Sequence, residues 1–139
     1  MNHFEYSDLY IGQKECFTIA ITENMMHSFR DITGDNNPLH NDKGYALKHG
    51  FPDRVCFGML TASFLSTMAG VYIPGERSLI QSVESKFSSP VILGDTIHFM
   101  GEIIELNDTV RQIVLKVTAT NQDGRIVLRG KMKIGITNE

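Results

Sequence analysis

Asp35 and His40 stand five residues apart in the segment FRDITGDNNPLH, residues 29–40. An ionised carboxylate and a neutral imidazole at that spacing can share one water and move its protons near neutral pH, which is general acid and base chemistry. A continuous helix would defeat the pairing, because five residues turn through about 500° and leave the two side chains about 140° apart. The helix must therefore stop between them. Gly34 permits the left-handed backbone that ends a helix, and Pro38 has no amide hydrogen and clashes with a helical continuation while biasing Asn37 toward extended backbone. The segment predicts a rigid polar turn that presents Asp35 and His40 to a common space.

Taken singly, each of these residues has a structural reading. Asp35 can cap the turn by accepting amide hydrogens, Asn37 is a common residue type before proline, and His40 can be a half-buried side chain with a partner of its own. Their occurrence together, with Gly34 before them and Gly58 after, favours chemistry. His3, His27, His49 and His98 carry no such pattern and read as surface or packing residues. A metal site could be imagined from His40, His49 and Cys56, but without a CxxC, an HxxxH or a clustered ligand pair of zinc spacing none is expected.

The elements that must position this turn are legible on both sides of it. Residues 16–22 alternate apolar and β-branched types and read as a strand ending where Thr22 can cap a helix. Over the next eleven residues, Met25, Met26, Phe29 and Ile32 recur at three- and four-residue spacings, one apolar face that ends at Gly34. Residues 41–53 offer Asp42 as a cap, a short helical run at 43–48 and the breakers Gly50 and Pro52, so a flap with little regular structure is expected over the site. A helix from about Gly58 to Gly70 carries no charge and is apolar or small all round, so it should be buried and wrapped. After the Pro74-Gly75 turn, residues 79–87, 96–106, 111–120 and 125–136 read as period-two strands of an antiparallel sheet. One buried helix with a long sheet makes an α+β domain in which the sheet curls around the helix.

At 139 residues the chain reads as a single domain, 1–139, able to bury roughly two thirds of its unfolded surface. Thirteen basic against sixteen acidic residues give a net charge of -3 with no basic run, which argues against a nucleic-acid partner. The apolar stretches are too short to span a bilayer, and the opening MNHFEYSDLY lacks a basic segment followed by an apolar one, so a cytoplasmic protein without a membrane partner is expected. Cys16 and Cys56 fall in different elements and are expected as reduced thiols.

The sequence resembles the R-specific enoyl-CoA hydratase and MaoC-like dehydratase family. Its signature runs aromatic, spacer, small residue, then GDxNPLH and a further small residue; Phe29, Thr33, Gly34, Asp35, Asn37, Pro38, Leu39, His40 and Ala46 fit it. The resemblance implies the hot-dog fold, with Asp35 and His40 holding the catalytic water and Asn37 hydrogen-bonding in the same pocket. It implies addition of water across the 2,3 double bond of an acyl thioester linked to CoA or a carrier protein, or its removal, with R stereochemistry, no cofactor and a homodimeric assembly. The family pattern His-Gly-Met-Leu at the start of the buried helix reads Phe57-Gly58-Met59-Leu60 here. Gly58 is thereby implied as oxyanion donor, and a helix N-terminus suits developing negative charge. Gly58 can also be read as a helix start or a close-packing position. Phe57, in place of the family histidine, and Ser63, placed for packing or a hydrogen bond to the thioester, complete the expected substrate-binding set.

Two rivals keep the same fold. A hot-dog thioesterase would hydrolyse the thioester, but such enzymes generally place an acidic residue on or beside the central helix, and residues 58–70 contain none. A non-catalytic acyl-thioester binding subunit is suggested by Phe57. Arg54, Lys48 and Lys86 are candidates for the carrier phosphates, against the plainer reading of solvated charge.

Overall fold

The computed structural model describes residues 1–138. A five-stranded antiparallel sheet runs in the order β1-β3-β4-β5-β2, built from β1 (Lys14–Ala20), β2 (Ser78–Phe87), β3 (Thr96–Asn107), β4 (Gln112–Thr120) and β5 (Ile126–Ile136). The alternation along β5 shows why these residues make strands: Leu128, Gly130 and Met132 are buried while Arg129, Lys131 and Lys133 between them are exposed, the period of two that a one-sided sheet requires. All five expected strands form, with β1 beginning at Lys14 and ending at Ala20 rather than running to residue 22.

Four helices punctuate the sheet: α1 (Glu23–Thr33), α2 (Pro38–Asn41), α3 (Lys43–Lys48) and α4 (Gly58–Thr67), the last continued by a π turn over Met68–Tyr72. The Thr22 hydroxyl accepts from the Met25 amide and caps α1 as its sequence predicts. The flap holds the expected short helix at residues 43–48, capped by the Asp42 side chain, and just ahead of it the Asn37 side chain caps a further short helix, α2, that the sequence reading did not include.

The sheet curls against α4, the hot-dog arrangement, and two glycines let the helix sit close. A Cβ on Gly101 would stand 2.8 Å from the Met68 sulfur, and one on Gly130 would stand 3.1 Å from Leu65. Met68 and Leu65 fill those places within a core that includes Phe99, Ile103, Leu115 and Met132. The expectation that α4 is buried all round needs correction. Met59 is 66% exposed and Ser63 and Ser66 are also exposed, because within one chain the sheet covers only the side of the helix that packs on β2 and β5. No helix among the described residues is long and apolar enough to cross a membrane.

Candidate active site

The turn after α1 is held by a chain of side-chain hydrogen bonds. Gly34 adopts φ 71°, ψ 10°, and its amide donates to the Arg30 carbonyl at 2.7 Å, closing the helix in the left-handed conformation that glycine permits. The Thr33 hydroxyl donates to the Phe29 carbonyl at 2.8 Å and accepts the Asp35 amide at 3.2 Å. Asp35 Oδ1 accepts the Asn37 amide at 3.1 Å, and Asn37 Oδ1 accepts the Leu39 amide at 2.9 Å. Pro38 then opens α2 instead of merely ending α1, since its missing amide hydrogen has no use at the first position of a helix.

This network puts Asp35 and His40 on opposite ends of a short, fixed bridge. His40 Nδ1 lies 2.7 Å from the Val55 carbonyl oxygen, so Nδ1 carries the proton in the neutral ring and Nε2 is left with its lone pair. The imidazole packs on Phe57 with ring centroids 4.3 Å apart, and Phe57 in turn meets Phe29 at 4.9 Å. Phe57 is 2% exposed and serves as an apolar wedge between the flap and α4.

The start of α4 supplies the third component. The Phe57 carbonyl receives the amides of Leu60 and Thr61 at 3.0 and 3.2 Å, so the amides of Gly58 and Met59 lie ahead of the first intrahelical acceptor and can donate to a ligand. The ring of Phe87, at the end of β2, stands over this spot; a Cβ on Gly58 would come within 3.2 Å of it.

A cavity of about 1020 Å³ brings Asp35, His40, Phe57, Gly58 and Ser63 together, walled by apolar groups that include Phe29, Met59 and Val83. Of the residues expected at the site, Asn37 is the exception. It is exposed, absent from the lining, and its Oδ1 is occupied by the α2 cap, so it shapes the turn from outside. Ser63 lines the cavity, but its hydroxyl donates to the Leu60 carbonyl at 2.6 Å, the local helix bond that serine commonly makes.

The candidates for carrier phosphate separate clearly. Arg54 is only 8% exposed and binds Glu23 at 2.7 Å, tying the flap to α1. Lys86 lies 3.8 Å from Glu84, and neither Lys86 nor Lys48 lines the cavity. Among the described residues no three His, Cys, Asp or Glu side chains gather to hold a metal ion; His49 instead bonds the Tyr45 carbonyl at 2.8 Å. Cys56, just before Phe57, is a free thiol pushed up to about 11, mainly by burial, and so is no nucleophile near neutral pH.

Val83, Ser85 and Phe87 were not singled out by sequence, although all three line the cavity. Their spacing of two along one strand was the available signal; what it lacked was the knowledge that β2 is the strand beside the start of α4.

A basic ring nitrogen, a carboxylate and unengaged helix amides facing one largely apolar space can activate water next to a polarised carbonyl. Comparison with known proteins agrees with this chemistry. The family model described as MaoC like domain matches residues 10–125. The chain is 30% identical over 131 residues to a 3-hydroxybutyryl-CoA dehydratase of Methylorubrum extorquens, covering 94% of this chain and 83% of that one. It is 28% identical over 134 residues to an (R)-specific enoyl-CoA hydratase of Rhodospirillum rubrum, covering 96% and 91%. Its structure superposes on an unliganded R-hydratase from Pseudomonas aeruginosa with a TM-score of 0.91 and 30% identity, over 96% of this chain and 86% of that one.

Proposed function

The chain belongs to the MaoC-like domain family, and on that premise we propose that it is a lyase interconverting 2-enoyl and (3R)-3-hydroxyacyl thioesters by acid and base activation of water. The observation that carries this reading is the placement of Asp35, His40 and Gly58 on one cavity, with the imidazole Nδ1–H donated to the Val55 carbonyl.

In the hydration direction, a water held between Asp35 and His40 loses a proton to His40 Nε2 as its oxygen bonds to C3. The C2=C3 electron pair moves onto the thioester, whose oxygen becomes an enolate held by the Gly58 amide. The imidazolium returns the proton to C2, so that one water has been added and the catalytic groups are restored. Asp35 accepts a hydrogen bond from the water's other hydrogen, which stays on the oxygen as the C3 hydroxyl forms, and its charge stabilises the transient imidazolium. Dehydration is the same path in reverse. No step calls for a metal or a cofactor.

Two copies pair along β2 in this reading. The support is physical: β2 ends the sheet, Leu79 and Val83 on it are 57% and 51% exposed, and an apolar unpaired edge is a surface that proteins cover. The partner also shields the exposed side of α4. Substrate is a CoA or carrier-protein thioester, and the cytoplasm is the compartment in which the reading places the enzyme.

The test is the loss of enoyl-thioester absorbance on adding the protein, compared with His40→Ala and Asp35→Asn. Each variant should lose roughly 10² to 10⁴ in turnover, the range for one general acid or base. Equal rates in all three would reject the assignment, and release of free thiol in place of hydration would move the protein to the thioesterase reading.

A further inference from the structure

Three hydroxyl side chains line the main cavity, those of Thr33, Ser63 and Ser85. Two are occupied within the chain: Thr33 donates to the Phe29 carbonyl and Ser63 to the Leu60 carbonyl. The Ser85 oxygen is buried and has no hydrogen-bond partner, and among the described side chains it is the buried nitrogen or oxygen atom in that state. The polar groups left to face the cavity are therefore four in kind: the Asp35 carboxylate oxygen not engaged by the Asn37 amide, His40 Nε2, the amides at the start of α4, and the Ser85 hydroxyl. The proposed hydration uses the first three and leaves the last idle.

A buried hydroxyl without a partner is disfavoured unless something else completes it. Its surroundings within the chain offer nothing. Val83 and Phe87 flank it on the same face of β2, Gly130 lies opposite it in the ladder, and Leu65 fills the space over Gly130. What completes this hydroxyl comes from the cavity it lines: water when the cavity is empty, and a polar atom of the ligand when the acyl chain fills it.

The position of Ser85 says which part of a thioester that ligand is. The Phe87 ring stands at Gly58, where the thioester carbonyl binds. Ser85 lies about 7 Å back along β2 from Phe87, at roughly 3.4 Å per residue, and Val83 lies further in the same direction, within the cavity that also holds Ala62 and Ser63. A separate slot of about 190 Å³ shares Gly58 and Phe87 with this cavity and has a mixed lining, Thr61, Ser88 and Ser89 beside Pro90, Val91 and Val127; in this reading it takes the arm of the carrier. The larger apolar cavity takes the acyl chain, so Ser85 faces acyl carbons beyond C3.

We infer that Ser85 is a specificity-determining residue that selects acyl chains bearing an oxygen function, hydroxyl or keto, past C3, by hydrogen-bonding that oxygen inside an otherwise apolar cavity. This rests on the reading of the cavity as an acyl-thioester site. It does not require turnover.

The experiment is calorimetric binding of saturated thioesters, which the hydratase chemistry cannot consume: hexanoyl-CoA against 5-hydroxyhexanoyl-CoA and 6-hydroxyhexanoyl-CoA. The wild-type protein should bind one of the hydroxylated ligands about tenfold more tightly than hexanoyl-CoA, the order of one net hydrogen bond. Ser85→Ala should bring that ratio to about one, and Ser85→Thr, which restores a hydroxyl, should recover most of it. A wild-type ratio at or below one overturns the inference, and so does a ratio that survives in Ser85→Ala. If the protein fails to hydrate any enoyl thioester while the binding ratio and its loss are both seen, the hydratase reading falls and the role of Ser85 stands.

Discussion

The imidazole of His40 donates through Nδ1 to the backbone carbonyl of Val55 at 2.7 Å, a bond across fifteen residues of sequence that decides which ring nitrogen faces the cavity. Val55 is itself fixed, its amide donating to the Leu39 carbonyl at 3.1 Å and its backbone bridging to Ile92. The imidazole is thus oriented by the backbone rather than by a charged side chain.

That bond separates two functions that a single alanine substitution would mix. Asparagine at position 40 places an amide nitrogen near Nδ1 and can keep the bond to Val55, but has nothing in place of Nε2. His40→Asn should lose roughly 10² to 10⁴ in turnover with stability within about 0.5 kcal/mol of the wild type, whereas His40→Ala should also lose about 1 kcal/mol for the bond itself. Activity in His40→Asn near the wild-type level would remove Nε2 from the mechanism. Denaturant titration beside the rate measurement reads both effects.

The oxyanion role of Gly58 can be tested by deleting one hydrogen. Gly58 is the first residue of α4, preceded by Phe57 at φ -55°, ψ 126°, and both facts suit proline, which is favoured at a helix start and prefers an extended residue before it. Gly58→Pro removes the amide hydrogen, while Gly58→Ala keeps it and meets the same Phe87 ring at 3.2 Å. The proline variant should fall roughly 10² to 10³ below the alanine variant in turnover, the usual effect of losing one oxyanion donor. Equal activity in the two would show that the Phe87 contact, not the amide, explains any loss.

These contrasts show where sequence reading works and where it stops. Asp35, Gly34 and His40 were legible because turn chemistry is local: a left-handed glycine, an Asx turn and a proline need only their neighbours to be understood. The strands were legible for the same reason, their period of two being written in adjacent residues such as Arg129 to Lys133. Asn37 has two uses open to its side chain, and its Oδ1 takes the local one, accepting the Leu39 amide. Arg54 looked like a free cation until Glu23, thirty-one residues away, was found beside it. Ser85 and Phe87 reach the site only because β2 lies beside α4, and that adjacency depends on the order of strands, which spacing along the chain does not encode.

The edge of β2 gives a prediction about assembly. Leu79 and Val83 present apolar side chains on a strand with no neighbour on one side, and a charge placed there opposes strand pairing. Leu79→Lys, on the same strand but outside the cavity lining, should shift the protein from dimer toward monomer by light scattering and should reduce turnover at dilute protein, with recovery as concentration rises. A wild-type protein that is monomeric at every concentration would refute the pairing.

Cys56 yields a prediction in alkaline solution. Burial is the main cause that raises its thiol from an ordinary 9.0 to about 11, with the nearby Asp95 charge adding to it and the Thr61 contact opposing it. An unfolded chain releases that proton near pH 9 and the folded chain retains it to about pH 11, so between these values the native state binds more protons and stability must fall as pH rises. The contribution is complete below pH 9 and is lost by about pH 11, on the order of 2–3 kcal/mol for a shift of that size. The informative quantity is the difference in slope between the wild type and Cys56→Ala, which isolates this thiol. The alanine variant, less stable at neutral pH for its lost packing, should decline less steeply from pH 9 to 11, so that the gap between the two proteins narrows. Parallel curves would mean that the Cys56 thiol ionises alike in the folded and unfolded chain, and that the wall behind Phe57 is open to water.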